Sequence, residues 1–380
     1  MIYLDNAATT FPKPPSVLRA VAHCMQFDCG NPGRGAHRLS LRAAEHIYAC
    51  REEIAALIGA PNPERVCFAP NATAAINTVV KGVLHAGDHV LLSDMEHNAV
   101  LRPIARLAEE GKITYSIFPT YPTDKNRNAK MLCAGILERI RPNTRLLICA
   151  HASNICSATL PTEELGALCR KRGIFFAVDA AQSAGHMEID VQRMQIDALC
   201  APGHKGLLGP QGSGFFWLRD GITLDTLTEG GSGFHSLDPH MPADAPERYE
   251  AGTLPTPAIA GLAEGVREIR RRGTENIRAH LCRLTGRLQE RMQAMERITV
   301  YTPHLIGATL LFNADGIPPD ALAAELDKRG FCVRAGYHCA PLAHKTLGTP
   351  DGGAVRVSPS IYTTEQQIDA FSDAILELLR

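Results

Sequence analysis

The sequence lacks the features that mark membrane proteins, secreted proteins and nucleic-acid-binding proteins. Its 380 residues carry 39 Lys and Arg against 40 Asp and Glu, so no excess of positive charge points to nucleic acid or anionic lipid. The first residues show no basic stretch followed by an apolar one, and no apolar run is long enough to span a bilayer. These absences predict a cytoplasmic protein that binds neither membrane nor nucleic acid.

Cysteine pairs at metal-binding spacing are also absent. The chain has 12 cysteines, but no two are separated by only two residues, the spacing of zinc ribbons and thioredoxin-like motifs. Several cysteines, such as Cys67, Cys149 and Cys200, lie inside apolar runs, where cysteine usually acts as a small buried hydrophobic residue. The sequence therefore predicts no metal site, and with no signal peptide a reducing cytoplasm is the simplest compartment.

The sequence contains short apolar runs that alternate with helical patterns. Buried strands are predicted at Asp88–Ser93, Thr144–Ala150, Ile174–Asp179, Asp197–Ala201 and Gly214–Leu218. Amphipathic helices are predicted at Leu39–Ile58, Ala99–Glu110 and Thr162–Arg172. This alternation favours an α/β fold with a mostly parallel sheet and helices on both faces.

The pattern changes after about residue 250. Two arginine-rich helices are predicted at Ala258–Gly273 and Thr274–Met295, and a final helix with a capping box at Thr364–Leu379. We therefore expect a large α/β domain of residues 15–255 and a smaller α+β domain formed by residues 1–14 and 256–380. A substrate site between two such domains is the usual arrangement.

One lysine has surroundings suited to covalent chemistry. Lys205 lies in the stretch APGHKGLLGPQGSG of residues 201–214, directly after a predicted strand and beside glycines that would let a bulky group approach. A lysine attacks an aldehyde only as the free amine, a form that burial or a nearby cation favours. The alternative is an ordinary solvated loop lysine.

Three other polar positions follow predicted strands. Asp179 could hold a pyridinium nitrogen protonated or could cap a helix, and His97 could stack on a ring and move protons or be structural. Asn71-Ala72-Thr73 opens a predicted helix, whose start could bind phosphate or simply be capped. All of these positions follow strands of one predicted sheet, so they would meet at its carboxyl edge.

At these motifs the sequence resembles the class V aminotransferases, a group of fold-type I enzymes that depend on pyridoxal 5'-phosphate (PLP). Within that group it is similar to the cysteine desulfurase and selenocysteine lyase family, and to its group II members in particular. The resemblance runs from Tyr3-Leu-Asp-Asn-Ala-Ala-Thr-Thr to the last helix, and its most specific stretches are GHKGLLGPQG, YEAGT and RAGYHCAP. It implies PLP as cofactor, L-cysteine or L-selenocysteine as substrate, a homodimer and a sulfur-acceptor protein.

The resemblance also implies roles for individual residues. Lys205 would carry PLP as a Schiff base, Asp179 would pair with the pyridine nitrogen, and His97 would stack on the ring and move protons. Other cofactor contacts would come from Ala72 (through its backbone), Thr73, Gln182, His204 and, in the other subunit's site, Thr253. The substrate would be contacted by Asn154, Arg334 and Arg356, with Arg356 clamping its carboxylate.

Cys339 would be the sulfur nucleophile. It lies in Arg334-Ala-Gly-Tyr-His-Cys-Ala-Pro, a loop that could swing a thiolate toward the substrate. His338 or Arg334 could favour the thiolate, and a buried, inert cysteine is the alternative. The predicted reaction converts L-cysteine to L-alanine and leaves a persulfide on Cys339.

Two positions depart from the family pattern, and several other functions stay open. Pro202 stands where the family usually has a phosphate-binding Ser or Thr, and Ala74 stands where many relatives carry Glu. The open alternatives are selenocysteine lyase, another class V reaction such as transamination or epimerisation, a PLP-free binding scaffold and a nucleotide-binding Rossmann protein. Gly230-Gly-Ser-Gly233 matches the Rossmann motif poorly and does not follow the first strand.

Overall fold

The computed structural model describes residues 1–33, 35, 37–302 and 304–380 and contains one large sheet. The strands of this sheet are β2 (Val66–Ala69), β3 (His89–Ser93), β4 (Thr114–Phe118), β5 (Thr144–Ala150), β6 (Phe175–Asp179), β7 (Ala198–Pro202) and β8 (Gly214–Leu218). They lie in the order β2-β8-β7-β6-β5-β3-β4, and β8 alone runs against its neighbours. The predicted α/β class with a mostly parallel sheet is therefore confirmed.

Helices cover both faces of this sheet. They are α1 (Pro15–His23), continued by a π-helical turn at Cys24–Asp28, α2 (Arg38–Leu57), α3 (Ala72–Val83), α4 (Asn98–Glu109), α5 (Ala129–Leu137), α6 (Thr162–Arg172) and α7 (Thr256–Arg272). Successive strand residues point to opposite faces, so Leu147 and Phe176 pack under α2, α6 and α7 while Leu146 and Ala177 pack under α3 and α4. Burial on both faces explains why these strands are apolar throughout.

A second, smaller sheet is formed by the C-terminal part of the chain. Its strands β9 (Ile298–Val300), β10 (Leu310–Ala314), β12 (Arg334–Gly336) and β13 (Ala354–Val357) pair antiparallel in the order β12-β13-β10-β9. The N-terminal β1 (Ile2–Tyr3) pairs with β11 (Phe331–Cys332). The helices of this part are α8 (Thr274–Gln293), α9 (Pro319–Lys328), α10 (Pro341–Leu347) and α11 (Glu365–Leu378), and the capping box predicted at Thr364 is present.

The division into residues 15–255 and residues 1–14 with 256–380 stays a prediction. The pairing of β1 with β11 joins the two ends of the chain, as that division requires. Helix α7, which the division assigns to the smaller part, instead buries Ile259, Leu262 and Val266 in the core below the large sheet. None of the helices in the described part of the chain combines the length and apolar composition needed to cross a bilayer.

Candidate active site

A cavity of about 220 Å³ lies where the parallel strands of the large sheet end. Because these strands run in one direction, the segments after β2, β3, β5, β6 and β7 meet at the same edge. Ten of the predicted site residues line the cavity: Ala72, Thr73, His97, Asn154, Asp179, Gln182, His204, Lys205, Arg334 and Arg356. Two predicted residues, Thr253 and Cys339, are not among the lining residues.

Lys205 has the environment that a reactive amine requires. It follows β7, and burial lowers the pKa of its ammonium group to about 8, with Arg356 and Arg334 acting in the same direction and Asp179 opposing them. At pH 7 about a tenth of Lys205 is therefore the free amine, far more than for a lysine with its ordinary pKa. Packing within the protein also requires glycine beside Lys205, because a Cβ on Gly206 would lie 2.3 Å from the carbonyl oxygen of Ala184.

Asp179 ends β6 and is only 4% exposed. Its Oδ1 accepts a hydrogen bond from the backbone N–H of Ala181 at 2.9 Å, in a turn rather than at the start of a helix. Burial raises the pKa of the carboxyl group, whereas the Ala181 N–H and the charge of Lys205 lower it. Its Oδ2 has no protein donor within the described residues, so it is free for a cationic ring nitrogen in the cavity. Beside it, Gln182 donates from Nε2 to the Ala7 carbonyl at 2.9 Å.

The start of α3 and His204 together offer donors for an anion. Asn71 caps α3 by accepting from the Ala74 N–H at 2.9 Å, so the capping alternative is correct for Asn71 itself. The N–H groups of Ala72 and Thr73, at the first turn, have no intrahelical partner. The buried Nδ1 of His204 also lacks a partner in the part of the chain that the structure describes. Pro202 lines this end of the cavity and donates nothing.

His97 both caps a helix and lines the cavity. Its Nδ1 accepts a hydrogen bond from the Ala99 N–H at 3.0 Å at the start of α4. Burial lowers the pKa of the imidazole to about 4, with Lys205 and three arginines adding to this effect. The ring is therefore neutral near pH 7 and carries its proton on Nε2.

Arg356 is held on two sides by the protein. It is 2% exposed, donates from Nη2 to Asp5 at 2.6 Å and from Nη1 to the Asn154 carbonyl at 2.9 Å. The remaining N–H groups can bind a carboxylate. Asp5 was not predicted as a site residue, since its partner lies 351 residues away along the chain. Arg334 is the direct neighbour of Arg356 across β12 and β13 and has no ion pair among the described residues.

Cys339 lies next to the lining residue His338 and is exposed, so the alternative of a buried cysteine is wrong. Burial lowers the pKa of His338 to about 3, so this ring is neutral near pH 7 and offers no positive charge to a thiolate. Thr253 is exposed as well, and its predicted contact with another subunit's cofactor stays a prediction.

Glu96 is a buried carboxyl group that the sequence analysis missed. It is 0% exposed, and its Oε1 accepts hydrogen bonds from the Ser93 hydroxyl and from the Ala150 N–H. Its Oε2 has no partner within the described residues. Burial raises the pKa of Glu96 to about 8, and the carboxylates of Asp179 and Asp94 add to this effect. Glu96 is therefore mostly protonated near pH 7.

Glu96→Gln should change how stability depends on pH. In the unfolded chain a glutamate ionises near about pH 4.3. The folded wild type keeps the proton up to about pH 8, so it loses stability as the pH rises between these values. The amide of the variant carries no such proton, and the free energy of unfolding of the variant relative to wild type should rise by a few kcal/mol over that range. Denaturant unfolding at several pH values measures this. Glu138→Gln, at a side chain that is 75% exposed, is the control.

The cavity thus combines four chemical capacities. It offers unpartnered donors for an anion, a buried carboxylate for a protonated ring nitrogen, an amine for an aldehyde and a guanidinium for a carboxylate. A phosphorylated pyridine aldehyde and an amino acid together present the four complementary groups. The lining residues therefore fit PLP with an amino-acid substrate.

Comparison with known proteins agrees with this chemistry. The family model described as aminotransferase class-V matches residues 2–371. A probable cysteine desulfurase of Methanothermobacter thermautotrophicus is 34% identical and aligns over 99% of this chain and 94% of its own length. One from Pyrococcus abyssi is 31% identical over 100% of this chain and 94% of its own.

Comparison with solved structures agrees with the sequence matches. The apo structure of a cysteine desulfurase from Thermococcus onnurineus NA1 has a TM-score of 0.90 and 31% identity, over 100% of this chain and 94% of that one. A cysteine desulfurase from Escherichia coli has a TM-score of 0.86 and 25% identity, over 100% of this chain and 95% of that one. These findings confirm the resemblance noted in the sequence: the chain belongs to the class-V aminotransferase family and, within it, to the cysteine desulfurases.

Proposed function

We propose that the protein is a PLP-dependent cysteine desulfurase, which converts L-cysteine to L-alanine and holds the sulfur as a persulfide on Cys339 for an acceptor protein. The observation that supports this most directly is the cavity that brings Lys205, Asp179 and Arg356 together beside the exposed Cys339. The twelve cysteines are all free thiols, which a reducing cytoplasm favours. The exposed Thr253 suits a residue that serves the other subunit of a homodimer.

PLP, when bound, supplies an aldehyde for the amino group of the substrate and a ring that withdraws electrons. Lys205 and Asp179 would hold its aldehyde and its pyridine nitrogen. Its phosphate would be held by His204 and by the N–H groups of Ala72 and Thr73. The buried Nδ1 of His204 lacks a partner among the described residues, and burial shifts Lys205 toward the free amine.

The protein's own residues would orient the amino acid and move its protons. Arg356, fixed by Asp5 and by the Asn154 carbonyl, binds the substrate carboxylate with its free N–H groups. The Lys205 amine removes the α-proton and later returns a proton to the product. His97 also lines the cavity, where its ring is neutral near pH 7 and can donate from Nε2–H.

Sulfur transfer would be carried out by Cys339. Its thiolate attacks the substrate sulfur, so a sulfur–sulfur bond forms as the carbon–sulfur bond breaks. The electron pair of the broken bond stays with the carbon skeleton, which takes up a proton and leaves as alanine. A thiol of the acceptor, or a small-molecule thiol, then removes the outer sulfur and restores Cys339.

Product stoichiometry tests the proposed function. The purified protein, incubated with L-cysteine and dithiothreitol, should form alanine and sulfide in equal amounts. A keto acid without sulfide, or racemised cysteine, would instead indicate another class V reaction. If a yellow protein forms none of these products, the desulfurase proposal fails. Measuring kcat/KM for L-selenocysteine in the same assay decides between desulfurase and selenocysteine lyase.

A further inference from the structure

The loop that carries Cys339 adopts a backbone conformation that its residues disfavour. His338 and Cys339 have φ values of 49° and 57°, so two successive side chains with a Cβ lie in the left-handed region. Such conformations persist only where surrounding contacts impose them. The contacts that impose this one therefore set where the Cys339 thiol lies.

Backbone contacts account for part of this restraint. The Asn154 Nδ2 donates to the His338 carbonyl at 2.8 Å, and the Asn98 N–H at the start of α4 donates to the Cys339 carbonyl at 2.7 Å. Both donors come from loops at the carboxyl edge of the large sheet. They fix the two carbonyls of the strained residues relative to the cavity.

A series of side-chain hydrogen bonds supplies the remaining restraint on the Cys339 loop. His338 Nε2 lies 3.1 Å from the Arg334 carbonyl, His338 Nδ1 lies 3.3 Å from His344 Nε2, and His344 Nδ1 lies 2.9 Å from the Thr349 hydroxyl. The two imidazole rings are nearly parallel, with an interplanar angle of 10° and centroids 5.5 Å apart. The chain of hydrogen bonds runs from the Cys339 loop through α10 to Thr349, two residues after the end of this helix.

The protein environment fixes the direction of this chain. A carbonyl only accepts, so His338 must donate from Nε2, and its Nδ1 must accept from His344 Nε2–H. His344 Nδ1 then accepts from the Thr349 hydroxyl. This assignment requires both rings to be neutral, and burial lowers the pKa of His338 to about 3 and of His344 to about 4. Two adjacent, buried imidazolium rings would repel each other.

The helix that carries His344 is itself anchored to the site. Thr346 on α10 donates to Asp94 Oδ2 at 3.1 Å, in the segment that leads from β3 to His97. The ring of Tyr337 in the Cys339 loop packs edge-on against His344 at 5.4 Å. Neither His344 nor Thr349 lines the cavity. Among the described residues, the side-chain hydrogen bonds of His344 lead to the Cys339 loop through His338.

On the basis of the proposed function, in which Cys339 is the nucleophile, we propose that His344 and Thr349 are positioning residues. Through His338, they hold the Cys339 loop in the conformation that presents the thiol beside the cavity. The sequence indicated a loop that could swing a thiolate toward the substrate, and these contacts would hold that loop in one position.

Three variants and a control test whether these contacts position the Cys339 loop or only stabilise the fold. His344→Leu replaces the imidazole with an apolar side chain of similar size and removes both hydrogen bonds. His344→Gln keeps a donor for His338 Nδ1. Thr349→Val removes only the last donor of the chain. His89→Leu is the matched control, because His89 is also buried and hydrogen-bonded at both nitrogens but lies at the opposite edge of the large sheet.

Two reactions of the PLP-loaded protein report on different residues. Exchange of the α-proton of L-alanine in D2O depends on Lys205 and Arg356, and sulfide release from L-cysteine depends also on Cys339. We expect His344→Leu to lower the ratio of sulfide release to α-proton exchange by about 10-fold or more, because a misplaced nucleophile loses its near-attack geometry. His344→Gln should recover most of that ratio, Thr349→Val should lower it by about 3-fold, and His89→Leu should leave it unchanged.

Amide hydrogen exchange of residues 336–340 provides a readout that needs no sulfur chemistry. Faster exchange of this segment in His344→Leu than in wild type and His344→Gln is expected. Unchanged exchange would overturn the bracing, and so would an unchanged ratio of the two reactions in His344→Leu. A wild-type protein that exchanges the α-proton without releasing sulfide would overturn the desulfurase proposal, while amide exchange would still decide whether His344 braces the loop.

Discussion

Replacing Lys205 with alanine should abolish cofactor attachment and lower kcat/KM for L-cysteine by about 10³-fold or more. The side chain is proposed to serve both as the attachment point of PLP and as the base that moves the α-proton. No other lysine lines the described cavity, so no amine can take over. The loss also removes a positive charge that lowers the pKa of Asp179, and the cavity should hold a pyridinium ring less well.

Colour and activity together measure this effect. Purified wild type should be yellow and should lose its colour with hydroxylamine, whereas Lys205→Ala should retain at most cofactor that dialysis removes. Lys13→Met is the matched control: burial lowers the pKa of Lys13 to about 8 too, but its Nζ donates to the His204 carbonyl at 2.8 Å. A Lys205→Ala protein that keeps covalently bound PLP would contradict the assignment of this lysine.

The position of the cavity could be predicted from the sequence because the residues that line it follow strands. Asp179 ends an apolar run, and Thr73, His97 and Lys205 follow such runs within about four residues. Parallel strands carry such positions to one edge whatever the helices between them do. The unbroken apolar character of the strands identified the sheet, since both of its faces are buried. Half-exposed β4 at the sheet edge lacks that signal and was not predicted.

The features that the sequence did not reveal depend on contacts between distant segments or on burial. The ion pair between Asp5 and Arg356 joins residues that are 351 positions apart in the sequence. The residue types alone do not indicate which aspartate pairs with which arginine. Glu96 beside His97 looks like an ordinary polar loop residue until the loop is folded against β5, where its carboxyl group is buried. The low pKa of His338 likewise follows from burial, and sequence order alone suggested the opposite charge.

Cys339→Ala should lower sulfide release from L-cysteine by about 10²-fold or more while leaving the exchange of the α-proton of L-alanine intact. The substitution removes the only proposed nucleophile for sulfur but none of the residues that line the cavity. Cys339→Ser should behave like Cys339→Ala, because a hydroxyl oxygen cannot form the sulfur–sulfur bond that stores the product. The wild type, treated with L-cysteine without a reductant, should gain one sulfur atom on the peptide that contains Cys339.

Cys29→Ala is the control for the effect of exposure on a thiol. Cys29 and Cys339 are the two exposed cysteines among the twelve, so both thiols meet solvent and small reagents. If exposure alone made a thiol a sulfur acceptor, both substitutions would lower sulfide release and both peptides would gain sulfur. If Cys339 acts because it lies beside His338 at the cavity, only its substitution should matter. Full sulfide release by Cys339→Ala would show that sulfur leaves the substrate without a protein thiol, and the persulfide step would have to be abandoned.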